Sequence, residues 1–361
     1  AIAIVDKLKV KLLGGEHEQI VKRPTENLKA YSLYLKGRYH WNKRGSKDAQ
    51  RAIEFLKKAV KLDPRFALGY AGLADAYIIQ TDNTENHEKR LALLASAEEA
   101  VSGALELDES LGEAHTALAQ IRFSQWKWCE VEKGHITAIK LNPRYATARH
   151  WYSLFLVARG EFEQAWEQIK LARELDPLSP SIIAAQALCS YFWRKYDMAM
   201  EICREGFDIA PDFPLYALLT GWSLLEKGDY GEAINQFHRG VRLAEAWSEE
   251  EDDSPPWMVS ALGLAYAKMG EHAKAKDVLE TTVKTVNKRG GPLFPITILY
   301  FALGDLGQGF EWLERSVEKQ DFWIPLFRFS PVFDSFRDDP RFLSLMNKVG
   351  LDQEIQESSH E

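Results

Sequence analysis

The stretch GDYGEAINQFHRGVRL, residues 228–243, sets an acid, a histidine and two arginines beside glycines within one short run. It reads either as an active-site loop or as a packing code, and its neighbours decide. Thirty-four residues before Tyr230, Ala233 and Gly240 stand Tyr196, Ala199 and Gly206; thirty-four earlier again stand Phe162, Ala165 and Ala172. Pro143, Pro177 and Pro211 keep the same interval. The polar residues do not: His238 maps onto Arg204 and Lys170, and Asp229 onto Lys195 and Glu161. Small and aromatic positions recur while charge varies, which is how a packing code behaves. The histidine is therefore read as a solvated helix residue.

The code has a simple physical basis. Ala233 and Gly240 lie seven apart, on one helical face, and small side chains there let two helices approach closely. Gly228 can close the preceding helix in a left-handed conformation. A proline at the end of a unit stops its second helix and starts the next connection.

A 34-residue helix–turn–helix unit with these positions resembles the tetratricopeptide repeat. The best match is residues 146–179, with Tyr152, Gly160, Phe162, Ala165, Ala172 and the LDP of 175–177. YAGLADAY (70–77) and ALGLAYAKMG (261–270) read as first helices, and RAIEFLKKAVKLDP (51–64) as a second helix. The resemblance implies an all-α, right-handed superhelical solenoid of about eight repeats with a C-terminal helical cap. The chain then divides into an N-terminal helix (1–24), six units (25–247), an acidic linker (248–256), two further units (257–319) and a C-terminal cap and tail (320–361). Three longer segments, 23–44, 139–180 and 336–351, are similar to the repeat region that follows a TolB-like domain in bacterial winged-helix regulators, class III cyclases and Ser/Thr kinases. On that resemblance AIAIVDKLKVKLL (1–13), with Val5, Leu8 and Leu12 at helical spacing and no N-cap before it, reads as the last helix of a preceding domain.

In such solenoids the first helix of each unit lines a concave groove. The partner-binding wall is then expected to comprise Leu188 and Tyr191; Leu218, Trp222 and Leu225; Trp257 and Leu264; and Phe294, Ile298 and Phe301. An apolar, aromatic wall of this kind marks a binding surface for an amphipathic helix or an extended peptide. The competing expectation is that the chain covers the wall itself. FWIPLFRFSPVFDSFRDDPRF (322–342) is dense in aromatics and is expected to cap the last helix pair or fold inward. The inner positions of earlier units, Ala71 and Asp75, Thr116 and Gln120, His150 and Leu154, lack the lysines and asparagines that would grip an acidic chaperone tail.

Chemistry-bearing motifs are absent from the sequence. It has no phosphate-binding G-x-x-x-x-G-K-[ST], no G-x-S-x-G elbow and no H-E-x-x-H zinc helix. Cys129, Cys189 and Cys203 have no CxxC spacing, and they read as buried thiols. No catalytic, cofactor or metal site is expected, and the function expected is a non-catalytic interaction scaffold, the regulatory arm of a larger signalling protein.

Charge supplies the rival readings. The 361 residues carry a net −8, yet residues 1–61 hold 15 Lys+Arg against 6 Asp+Glu, so the remainder carries −17. The basic end, LYLKGRYHWNKRGSKDAQR (33–51), mixes cations with aromatics and could contact nucleic acid. The preferred reading makes Leu33, Leu35 and Tyr39 core, with Trp41 over the turn and the cations solvated. Electrostatic self-association between the basic end and the acidic remainder is the alternative function. No apolar run reaches the length of a membrane span. The free cysteines favour the cytoplasm, with a periplasmic location as the alternative if an anchor precedes the segment.

Overall fold

The computed structural model describes residues 24–82, 84, 86–246 and 255–351. Most of the 1–24 helix, the acidic run before Pro255 and the tail beyond Leu351 therefore lie outside the described residues. Among those described, eighteen α-helices and one 3-10 helix occur and no strand does. Sixteen of the helices form eight antiparallel pairs.

Unit 1 pairs α1 (Leu28–Lys43) with α2 (Ser46–Leu62), and unit 2 pairs α3 (Ala67–Asp82) with α4 (His87–Leu107). Unit 3 holds α5 (Gly112–Ser124) and α6 (Trp128–Leu141), and unit 4 holds α7 (Ala146–Arg159) and α8 (Phe162–Leu175). Next come α9 (Pro180–Phe192) with α10 (Tyr196–Ile209), and α11 (Pro214–Glu226) with α12 (Tyr230–Glu245). Units 7 and 8 are α13 (Pro256–Lys268) with α14 (His272–Arg289), and α15 (Phe294–Ala302) with α16 (Leu306–Glu318). A C-terminal segment follows: α17 (Trp323–Phe327), a 3-10 turn (Pro331–Phe336) and α18 (Pro340–Val349).

The opening stretch is α12 and its cap. Asp229 is the N-cap, its carboxylate accepting from the Glu232 amide. Gly228 has φ of 84°, the left-handed conformation that ends α11's turn. Ala233, Phe237 and Gly240 are buried, whereas His238 is exposed. A Cβ on Gly240 would come within 2.9 Å of the Met258 sulfur on α13, so glycine there sets how closely unit 7 stacks on unit 6. The stretch encodes packing.

First helices of successive units touch one another along the array, and each also packs on its own second helix. In addition α1 touches α9, four units on, so the coil closes on itself. Trp41, on α1, is buried against other units, its ring 6.4 Å from that of Trp151 on α7, with its indole N–H donating to the Asp75 carbonyl on α3. Leu35 and Tyr39, expected in the core, are instead 50% and 60% exposed. They face away from α2, at the end of the stack where no described unit precedes them. Trp151 on α7 is buried, whereas Trp166 on α8, Trp312 on α16 and Trp193 just after α9 are half-buried.

Candidate functional site

The wall residues of units 5–8 come together on the concave side, carried by α9, α11, α13 and α15. Helical spacing does this: positions three or four apart stack on one face of each first helix, and stacking of the units aligns those faces. Tyr191, Leu218, Leu225, Leu264, Phe294, Ile298 and Phe301 are all buried. Trp222 is 9% exposed, and Leu188 and Trp257 are half-buried.

The chain's own C-terminal segment packs on Trp222, Phe294 and Phe301 of this wall. Phe327 inserts its ring 5.2 Å from Phe192, 5.4 Å from Trp222 and 4.8 Å from Phe294. Phe333 follows at 6.2 Å from Phe294 and 5.4 Å from Phe301, and Phe336 lies 4.9 Å from Phe301. These are edge-to-face or tilted pairs, the geometry that aromatic quadrupoles favour. Segment 322–342, expected to cap the last helix pair or fold inward, thus meets the first helices through Phe327 and Phe333 and the last second helix through Phe336 against Phe310.

Polar contacts register the segment. Asp321 accepts from the amides of Leu293 and Phe294 at 2.7 and 3.1 Å, at the start of α15, and from that of Trp323. Burial raises its carboxyl above the ordinary range, and those amide bonds oppose the rise. Arg194, in the turn after α9, donates to the Phe329 carbonyl at 3.0 Å and to Asp334 at 2.7 Å. The Arg328 guanidinium reaches the Arg159 carbonyl at the end of α7. Phe329 lies 5.5 Å from Phe162 and against Gly160, where a Cβ would stand 2.6 Å from the phenylalanine Cζ. Further along, Phe322 meets Phe123, and the Trp128 indole donates to the Val349 carbonyl at 2.7 Å. The segment spans from unit 8 back to unit 3.

The concave face of the first units is filled by polar groups that the sequence reading did not pair. Arg38 donates to Asp75 at 2.6 Å, and the Tyr145 hydroxyl donates to the same carboxylate oxygen at 3.0 Å. Arg38 and Arg44 stack on the two sides of the Trp41 environment, 3.8 and 3.7 Å from its ring. His150 is held neutral, its pKa lowered to about 3 by burial and then by Arg44. The signal available in sequence was the alignment of Arg38 and Asp75 at equivalent inner positions of adjacent units, opposite in charge.

Arranged in this way the residues can hold a segment of polypeptide; they do not form an acid–base or nucleophilic constellation. Cys189 and Cys203 are buried, and burial pushes both thiols up to about 12, away from the nucleophilic thiolate. No group of three or more His, Cys, Asp or Glu among the described residues is placed to hold a metal ion. Nor is any described helix long and apolar enough to cross a membrane.

Known proteins resemble this chain in fold. Residues 30–66, which are most of unit 1 and its exit turn, match the tetratricopeptide repeat family model. Among solved structures, the APC/C hetero-tetramer Cut9–Hcn1 aligns over 89% of this chain and 54% of its own, with 16% identity and a TM-score of 0.57. Pseudomonas aeruginosa PilF aligns over 66% of this chain and 99% of its own, with 18% identity and a TM-score of 0.43. Yeast Tom70 aligns over 90% and 68%, with 15% identity and a TM-score of 0.47. The chain is thus an all-α helical-repeat solenoid, and the segment 30–66 within it is similar to the tetratricopeptide repeat.

Proposed function

We propose that the protein is a non-catalytic scaffold whose aromatic wall engages a protein or peptide segment. The observation that carries this reading is the wall's present occupant. Phe327 and Phe333 sit between Trp222, Phe294 and Phe301 as the side chains of a ligand would, with Arg194 reading the backbone at Phe329 and the acid at Asp334. The same chemistry in another chain, aromatics spaced about six apart with an acid after the second, fits the same contacts. Such a partner competes with a tethered segment. Each buried Phe or Leu it displaces contributes roughly 1.5–3 kcal/mol, so exchange depends on weakening the resident segment. On this reading the wall is a switchable docking site in the regulatory arm of a signalling protein. The buried thiols suit a reducing, cytoplasmic setting.

The test weakens the occupant and leaves the wall intact. The 361-residue wild-type chain and its Phe327→Ala/Phe333→Ala variant are used as bait in the native lysate, with a synthetic peptide of residues 321–337 as competitor. The variant should keep its helical circular dichroism and capture a protein that wild type captures weakly and that the peptide displaces. Equal capture by both forms, indifferent to the peptide, would sink the reading.

A further inference from the structure

One apolar surface has no counterpart elsewhere in the array. In each first helix a small residue packs on the unit's own second helix: a Cβ on Gly37 would stand 2.5 Å from Leu56 Cγ, and one on Gly221 would stand 2.4 Å from Phe237. The residues two before and two after that position point the opposite way, toward the preceding unit. A Cβ on Gly72, in α3, would meet Tyr34 of unit 1 at 3.0 Å. In units 2 to 8 both stacking positions are buried, as in Ala117 and Ile121, Trp151 and Phe155, or Leu219 and Ser223. In unit 1 they are Leu35 and Tyr39, and with Leu28, which is 75% exposed, they form a stripe at i, i+7 and i+11 along α1.

The charge beside this stripe is of one sign. Lys29, Lys36 and Lys43 run parallel to it at sevenfold spacing, all exposed, and α1 contains no Asp or Glu in its sixteen residues. Lys43 approaches Asp48 only to 3.9 Å. This charge discriminates among occupants. A second copy of α1 would bring its own row of lysines. The 23 residues that precede the described chain hold five Lys+Arg against three Asp+Glu, again the same sign. A helix with an apolar stripe and flanking carboxylates meets both the shape and the charge.

We propose that the outer face of α1, formed by Leu28, Leu35 and Tyr39 and flanked by Lys29, Lys36 and Lys43, docks an acidic amphipathic helix of another protein, laid where a preceding unit would stack. This surface is separate from the aromatic wall, and the two readings stand or fall independently.

The test uses the full chain and a labelled 16-residue peptide of Leu and Glu, with Leu at i, i+4, i+7 and i+11, in fluorescence anisotropy. A twin with every Glu replaced by Lys is the control. The acidic peptide should bind, and the twin should bind at least tenfold more weakly. Two variants, Leu35→Asn/Tyr39→Asn and Lys29→Glu/Lys36→Glu/Lys43→Glu, should each weaken binding tenfold or more with unchanged circular dichroism, since all five positions are exposed. Phe327→Ala/Phe333→Ala should leave it unchanged. Binding that ignores the Leu35/Tyr39 variant overturns the proposal, as does equal binding of the twin. Two further results also overturn it: a tenfold gain in affinity on removing residues 1–23, which assigns the face to that segment, or low-salt dimerisation in sedimentation abolished by Leu35→Asn/Tyr39→Asn, which assigns it to a second copy.

Discussion

Phe327 lies with its ring 4.8 Å from that of Phe294, although the two residues belong to different layers: Phe294 opens the last first-helix of the array, and Phe327 comes from the segment that turns back under it. This contact converts an open coil into a filled one. Trp222 touches the Phe327 ring at 5.4 Å, and Tyr191 in turn lies 5.6 Å from Trp222, so these wall residues and the occupant form one aromatic cluster.

Trp222→Arg therefore acts on the occupant as well as on the wall. Losing a buried aromatic costs about 3–5 kcal/mol, and a guanidinium in its place cannot restore the ring contact with Phe327. The expected outcome is a lower melting temperature and new tryptic cleavage at Arg328 and Arg337, with most helical circular dichroism retained. Wild-type protease resistance in that segment would show that Trp222 does not hold it.

Gly160→Ala should destabilise through two separable causes. The residue has φ of 81°, which disfavours alanine, and its Cβ would collide with the Phe329 ring. The single substitution is expected to cost about 1–3 kcal/mol. Adding Phe329→Ala relieves the collision and leaves the backbone strain. Chemical denaturation of the four forms should give a coupling of about 1 kcal/mol. Strict additivity would mean that the ring does not rest on Gly160.

Arg194 and Asp334 pair at 2.7 Å with side chains 35% and 49% exposed, so the pair itself contributes less than about 1 kcal/mol. Arg194 also satisfies the Phe329 carbonyl. Asp334 also accepts from Arg337 at 2.7 Å, so the comparison is made in an Arg337→Gln background: there Arg194→Gln is expected to lower the denaturation midpoint more than Asp334→Asn does, and equal effects would argue that the carbonyl bond contributes nothing.

His135 is fully buried, and neither ring nitrogen has a hydrogen-bond partner among the described residues. Burial lowers its pKa from 6.5 to about 3. The unfolded chain thus binds a proton below pH 6.5 that the folded chain refuses, and this histidine makes stability fall with pH between 6.5 and about 3, by up to about 1.4 kcal/mol per pH unit. Above pH 6.5 it has no such effect. His135→Phe should reduce that slope in urea titrations at pH 7.0 and 5.0, leaving the share that His150, also lowered to about 3, contributes. An unaltered pH dependence would show that the imidazole is not held neutral.

The helix pairs were legible because their determinants are local and periodic. Alanine, glycine and an aromatic at fixed offsets decide how neighbouring helices meet, and that physics acts within some forty residues, as at Gly240 against Met258. The placement of Leu218, Trp222 and Leu225, and of Phe294, Ile298 and Phe301, on first helices was legible for the same reason. Whether the wall stood open was not. The contacts that fill it join Trp128 to Val349 and Arg194 to Asp334, across 221 and 140 residues, where no period links the partners. Leu35 and Tyr39 show the limit at the other end: a repeat pattern marks stacking positions in every unit alike, and only the assembled stack, in which one described unit has no predecessor, leaves them facing solvent. Side-chain size along the chain determined the solenoid; the return of the last segment through its hollow was settled by three-dimensional proximity, because burial of aromatics rewards whichever distant surface is near enough to cover them.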